Sequence, residues 1–153
     1  MREVVEDVLV VLREGDDELA EALQGAGCRV THNPHAVEGM GASIRHGVAE
    51  APAGDGWLIM PADLPWVRTA TIARVAAQLA QAPAVVPVCN GQRGHPVGFA
   101  ARFREGLLAL QGDRGARGLL QAHPDAVCWL EVDDPGIGRD VDRPEALRTA
   151  SGI

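Results

Sequence analysis

Short apolar runs rich in branched side chains alternate with amphipathic stretches of helix length along most of this chain, the pattern of a domain that alternates strand and helix. Val8 to Leu12 reads as a buried strand. Asp16 or Asp17 supplies an N-cap for a short helix that carries Leu19, Ala22 and Leu23, and Gly25 to Gly27 ends it. Arg29-Val30-Thr31 is the next strand; after Asn33-Pro34, the loop Glu38-Gly39-Met40-Gly41 leads into a helix from about Ala42 to Ala49. Gly54-Asp55-Gly56 separates that helix from the strand Trp57-Leu58-Ile59-Met60-Pro61. Thr69 is the expected cap of an amphipathic helix with Ile72, Val75, Ala76 and Leu79 on one face, and Ala84 to Val88 is a further β-branched run.

The alternation then changes. Asn90-Gly91 stands between the Val85–Val88 run and His95-Pro96-Val97-Gly98-Phe99, a turn signal that predicts a hairpin-like reversal and one antiparallel strand in a mostly parallel sheet. Helices are expected from about Ala101 to Leu110 and from Ala116 to Ala122, on either side of Gly112-Asp113-Arg114-Gly115. Val127 to Val132 is the last strand, Asp133-Asp134-Pro135-Gly136 turns the chain, and Pro144 opens a short final helix. No repeat, linker or low-complexity stretch interrupts the pattern, so residues 1–153 read as one mixed α/β domain.

Composition narrows the partners. With 153 residues, 46% of them hydrophobic, the chain can build a real core. A formal net charge of −7, with arginines spread along the whole length, argues against nucleic acid. No apolar run approaches the roughly 20 residues that span a bilayer, and the acidic start Met1-Arg2-Glu3-Val4-Val5-Glu6-Asp7 lacks the basic flank of a secretory signal, which together read as a cytoplasmic protein with no membrane partner. Cys28, Cys89 and Cys128 are odd in number and too far apart for a paired-cysteine metal site, so reduced, mostly buried thiols are expected. All 14 Lys-plus-Arg positions are arginine, which suits bidentate capture of phosphate and carboxylate and excludes chemistry that needs a lysine amine from this chain.

Candidate chemistry gathers at the ends of elements. Ala62-Asp63-Leu64-Pro65 brings a carboxylate to the end of a strand, where open α/β sheets place ligands. The acidic turn Asp140-Val141-Asp142-Arg143-Pro144-Glu145 can bring another to the same place, and two hard oxygen ligands there point to magnesium and a phosphate-bearing substrate. Each has a plainer reading: Asp-x-Pro is ordinary turn chemistry, and acidic side chains before a Pro-started helix suit its dipole. His95, held between Gly94 and Pro96, is placed to donate to a phosphate or a carbonyl, whereas His32, His35, His46 and His123 show no ligand spacing and read as surface or loop residues. Gly39-Met40-Gly41 lets the backbone turn into a helix that Ser43 caps; equally, that helix start with Arg45 on its first turn is an anion site. Arg114 and Arg117 read as solvated charges beside a glycine turn.

Five motifs stand in a fixed order: Gly39-Met40-Gly41-Ala42-Ser43-Ile44-Arg45, Ala62-Asp63-Leu64-Pro65, Arg93-Gly94-His95-Pro96-Val97, Gly112-Asp113-Arg114-Gly115-Ala116-Arg117 and Asp140-Val141-Asp142-Arg143-Pro144-Glu145. Together they resemble the MobA-like nucleotidyltransferases, in particular the branch of molybdenum cofactor cytidylyltransferase. The resemblance implies a Rossmann-like nucleotide-diphospho-sugar transferase fold, CTP and a molybdopterin-type acceptor as substrates, and Mg²⁺ or Mn²⁺ as cofactor. It implies that Asp63 and Asp142, or its neighbour Asp140, bind the metal and serve catalysis. Gly39, Met40, Ser43, Arg45, His95, Asp113 and Arg114 are implied to face the substrates.

The chain departs from that pattern at its start, where family members carry a strand, a glycine-rich Leu-Ala-Ala-Gly-type loop, an arginine and a lysine. Without them the strand ending at Leu12 is expected to have an open flank, suited to a homodimer, and cytidylyl transfer is expected to be weak or absent in this chain alone. The alternative is a non-catalytic remnant or subunit that acts as a binding and dimerisation module.

Overall fold

The structure is a computed structural model that describes residues 4–51 and 54–150; Met1 to Glu3, part of the acidic start, lie outside the described residues. Strands β1 (Leu9–Arg13) and β2 (Arg29–Asn33) flank helix α1 (Asp17–Gly25), and α2 (Met40–Glu50) leads to β3 (Gly56–Ile59). Helix α3 (Thr69–Leu79), strands β4 (Ala84–Cys89), β5 (Gln92–Arg93) and β6 (Val97–Ala100), and helices α4 (Arg104–Leu108) and α5 (Arg117–Ala122) follow. Strand β7 (Val127–Glu131) and helix α6 (Pro144–Ala150) complete the order.

β1 and β2 pair in parallel, from Leu9 opposite Arg29 to Arg13 opposite Asn33. The other five strands form a second sheet in which β6 lies between β3 and β4, antiparallel to both, while β7 runs parallel to β4 along its other side. β3, β4 and β7 therefore share one direction, and β6 is the expected antiparallel strand. Asn90 and Gly91, with φ of 52° and 76°, make the tight β4–β5 hairpin that the Asn-Gly pair predicts.

Among the described residues β1 pairs only with β2, and β3 only with β6, so the sheet is in two parts and the strand through Leu12 has its open flank. Helix α2 joins the parts. A Cβ on Gly47 would come within 2.9 Å of the Val11 side chain, whereas Val48 and Ile44 of the same helix belong to the cluster that holds Trp57 and Ile59. That cluster centres on Phe99 and Leu107, with Phe103 edge-on to Phe99 at 5.5 Å. Strand β4 is buried along its whole length, with a strand on each edge, Ala84 and Val86 in the Phe99–Leu107 cluster, and α3 packed against it. No helix of the described residues is long and apolar enough to cross a membrane.

Several boundaries differ from expectation. α2 begins at Met40, with Gly39 and not Ser43 at the N-cap, and the expected 101–110 helix opens as a tight 3₁₀ turn over Ala101–Phe103 before α4. Asp16 holds the N-cap position of α1 without a side-chain cap bond; its carboxylate pairs with Arg13 at 3.4 Å. At α3 the N-cap position belongs to Arg68 and Thr69 makes no cap. The helix is capped from far along the chain by Asp134, whose Oδ2 accepts the Arg68 N–H at 2.9 Å and the Thr71 hydroxyl at 2.6 Å, while its Oδ1 accepts the Gly136 N–H at 3.0 Å.

Burial by itself would raise the Asp134 carboxyl, but the bonds from Thr71, Arg68 and Gly136 outweigh it, with help from the Arg68 charge, and hold it below its ordinary value. A depressed carboxyl contributes stability that is full above the unfolded value near 3.8 and is lost as pH falls through the folded value. Asp134→Asn should therefore cost about 1–3 kcal/mol at neutral pH, through buried donors left poorly matched. In urea titrations the variant should also lack that part of the wild-type acid destabilisation; equal midpoints for the two chains across the pH range would contradict the assignment.

Candidate active site at the carboxyl end of β3

The pairing of β6 with β3 places Ile59 opposite Val97, so the end of β3 and the start of β6 lie together. Asp63, just beyond β3, and His95, just before β6, are thus brought to the same edge, and the Asp63 carboxylate acts electrostatically on the imidazole. The segment that follows β7 closes a third side. Ile137 O accepts the His95 N–H at 2.9 Å, and the Val141 N–H donates to Asp63 O at 2.9 Å. Asp140 and Asp142 are the neighbours of Val141, so the main chain delivers the second acidic motif to the first. Asp63, Asp140 and Asp142 are all exposed.

The fit is tight at two glycines. A Cβ on Gly94 would lie 2.3 Å from Ile137 O, and one on Gly136 would lie 2.2 Å from Trp66 O. The Arg139 guanidinium stacks on the Trp66 ring at 4.1 Å, next to this seam. His95 is half-buried and precedes a cis proline bond. Desolvation lowers its pKa below 6.5, opposed by the Ile59 main chain and the Asp63 charge, so the ring is neutral at neutral pH. Its Nδ1 is buried and has no partner in the protein.

A second set of predicted residues meets across two loops. The Gly41 N–H at the start of α2 donates to Gly112 O at 2.8 Å, and a Cβ on Gly39 would lie 2.6 Å from the Asp113 main chain. A Cβ on Gly115 would lie 3.2 Å from the Met40 sulfur. The structure thus brings Gly39, Met40, Asp113 and Arg114 into one patch, with Met40, Asp113 and Arg114 exposed. Arg45 braces it: Nη1 donates to Leu110 O at 3.0 Å and Nη2 faces Glu38 at 3.5 Å. The Ser43 hydroxyl accepts from Asn33 Nδ2 at 3.3 Å. Because α2 runs back along the crossover from β2 to β3, its first turn lies towards the edge where β3 ends.

Two of the other histidines are not the surface residues expected. His46 Nε2 lies 2.8 Å from the Thr31 hydroxyl, tying α2 to β2, and His32 Nε2 is buried without a partner. His35 and His123 are exposed.

Sequence reasoning did not find Asp134, Trp66 or Arg139, whose importance arises only from contacts between distant segments. It also passed over Asn33, which is 2% exposed and whose Oδ1 accepts the His35 N–H at 2.9 Å; its Asn-Pro context was the available signal. Nor did it find a cleft of about 330 Å³ at the carboxyl ends of β1 and β2, lined by Arg13, Asp16, Asn33 and Val37. Another cleft, about 370 Å³ beside Asp55 and Arg102, lies at the opposite end of β3 and is remote from these groups.

A mostly parallel α/β sheet with an inserted antiparallel strand and acidic loops at its carboxyl edge defines a Rossmann-like nucleotidyltransferase fold. The family model of the MobA-like NTP transferase domain matches residues 1–127, and this chain belongs to that family. It is 33% identical over 150 residues to a phosphoenolpyruvate guanylyltransferase of Streptosporangium roseum, covering 94% of this chain. The chain spans 64% of that relative's length. Among solved structures, Rv0371c from Mycobacterium tuberculosis H37Rv superposes with a TM-score of 0.78 at 24% identity, over 99% of this chain and 80% of that one. The manganese complex of Rv0371c gives 0.78 at 23% identity, over 99% and 82%. A nucleotidyl transferase from Methanothermobacter thermautotroptrophicus gives 0.75 at 25% identity, over 96% and 73%.

In an NMR titration the His95 imidazole should turn over below pH 6.5, following the direction set by its burial. Its neutrality contributes stability that is complete above the unfolded value of 6.5 and is lost as pH falls through the lower folded value. A midpoint at or above 6.5 would contradict the placement of the ring.

Proposed function

We propose that this chain is a cytoplasmic, divalent-cation-dependent nucleotidyltransferase domain that transfers a nucleoside monophosphate from a nucleoside triphosphate to a phosphate-bearing small molecule. The observation that supports this most is the meeting of Asp63, His95 and the Asp140–Asp142 turn at the end of β3, fixed by the Val141 to Asp63 bond. An acceptor oxygen attacks the α-phosphorus, a new P–O bond forms, the bond to the bridging oxygen breaks, and pyrophosphate leaves.

No three His, Cys, Asp or Glu side chains among the described residues form a ready-made metal cage. One or two exposed carboxylates fit Mg²⁺ or Mn²⁺, which commonly binds through so few protein ligands, with water and substrate phosphates completing its shell. Asp63 with Asp142, or with Asp140, would hold the ion. When bound, the ion neutralises charge on the phosphates of the nucleotide.

The remaining groups bind and orient. The neutral His95 stands beside Asp63 at the site, Arg114 offers a planar fork to a phosphate, and the half-exposed Met40 offers apolar surface to a base. The start of α2 is a weaker anion site than its position suggests, because Gly112 already takes the Gly41 N–H. Gly39 and Asp113 shape the patch, with Ser43 and Arg45 supporting it from behind.

Two substrate pairs are in view. The Streptosporangium roseum relative favours GTP with phosphoenolpyruvate. The five ordered motifs favour CTP with a molybdopterin-type acceptor. Pyrophosphate release with each pair, in Mg²⁺ and in Mn²⁺, separates them. Under either pair Asp63→Ala should lower turnover by about 100-fold or more, as expected on removing a group that stabilises phosphate charge. A variant as active as the wild type would refute the role of Asp63, and nucleotide binding with no turnover under any pair would favour the non-catalytic binding module.

The open edges of β1 and β3 present unpaired backbone groups that favour self-association. Sedimentation should find a dimer; a strictly monomeric species would contradict this.

A further inference from the structure

Several contacts tie residues 63–68 to residues 133–141. Asp63 O accepts the Val141 N–H, Trp66 O packs against Gly136, and Arg68 donates its N–H to Asp134 and its Nη1 to Asp133 O at 2.7 Å. A further contact is the Arg139 guanidinium over the Trp66 ring at 4.1 Å, and it differs from these. It is made by side chains alone, its arginine is exposed, and its members lie close to the acidic residues: Trp66 follows Asp63 on the same loop, and Arg139 immediately precedes Asp140.

We propose that Trp66 and Arg139 are positioning residues, a planar latch that fixes the Asp140–Asp142 turn against Asp63 and so sets the spacing of the carboxylates. The inference rests on the cation site proposed above. Charge alone would not place an arginine there, because a guanidinium beside Asp140 repels a divalent cation arriving at the same turn. The position makes sense if the stack gains more by ordering the carboxylates than its charge loses. Arginine suits the task because its flat, weakly hydrated fork stacks on an indole, which a lysine ammonium does not reproduce.

The two accounts of Arg139 predict opposite signs. Mn²⁺ alone is the probe, with free ion read by electron paramagnetic resonance and Val141 amide exchange read by NMR. The latch predicts that Arg139→Gln, Arg139→Lys and Trp66→Ala each weaken Mn²⁺ binding by roughly two- to fivefold, the factor that an exposed stack of about 0.5–1 kcal/mol converts to. It also predicts faster Val141 exchange in all three with the thermal midpoint unchanged, and near-wild-type behaviour for Trp66→Phe, which keeps an aromatic face. Tighter Mn²⁺ binding in Arg139→Gln, wild-type affinity in Arg139→Lys, or unchanged Val141 exchange overturns the latch. Asp63→Ala separates this failure from a failure of the cation site. Uptake that is lost in Asp63→Ala but indifferent to the Arg139 variants sinks the latch alone, whereas a wild-type chain that takes up no Mn²⁺, or keeps its uptake in Asp63→Ala, overturns both.

Discussion

The buried carboxylate of Asp134 fixes the geometry around Asp63. A charge removed from water is tolerated only where donors surround it, and here the donors come from two separate places: the start of α3 and the turn at Gly136. Satisfying both leaves the chain after β7 one way to run. It passes Gly136 under Trp66 O, offers Ile137 O to His95 and brings the Val141 N–H to Asp63. The acidic turn is therefore set in place by the same contacts that cap α3. Stability and the placement of the acidic turn share the Asp134 hydrogen bonds, so a substitution at Asp134 should loosen both.

Much of the fold could be read from local pattern. The apolar runs at β1, β4 and β7, the glycine breaks, and the Asn90-Gly91 turn each state their structure within a few residues. So did the arrival of Asp63 at a strand end. What failed was capping and assignment of polar side chains. Thr69 looked like a cap because a hydroxyl precedes an amphipathic run, yet the cap comes from a residue more than sixty positions away, a contact that no local window contains. Arg45 and His46 looked available for ligands or solvent, yet Leu110 O and Thr31 engage them across the fold. Asp134 was legible only as a turn former, since nothing beside it in sequence announces burial.

The glycine-rich loops illustrate how motifs distant in sequence become one surface. Gly39 has room for no side chain because the Asp113 main chain lies against it, and the Gly41 N–H is taken by Gly112 O. Each loop requires the other to be small, which gives a physical reason for glycine at these places independent of any ligand. Their contact leaves Met40 and Arg114 exposed. The division of the sheet adds a second theme, since α2 spans the break between β1 and β3 and carries the Gly39–Met40 patch at its own start.

The central claim is that Asp63 and the Asp140–Asp142 turn form one cation site. Crystals grown with Mn²⁺ and a nucleoside triphosphate, measured for anomalous scattering, test it most directly. The account predicts a single strong peak within coordination distance of the Asp63 carboxylate and of Asp142 or Asp140. A peak held by other residues, or none beside Asp63 in crystals that contain bound nucleotide, would contradict it.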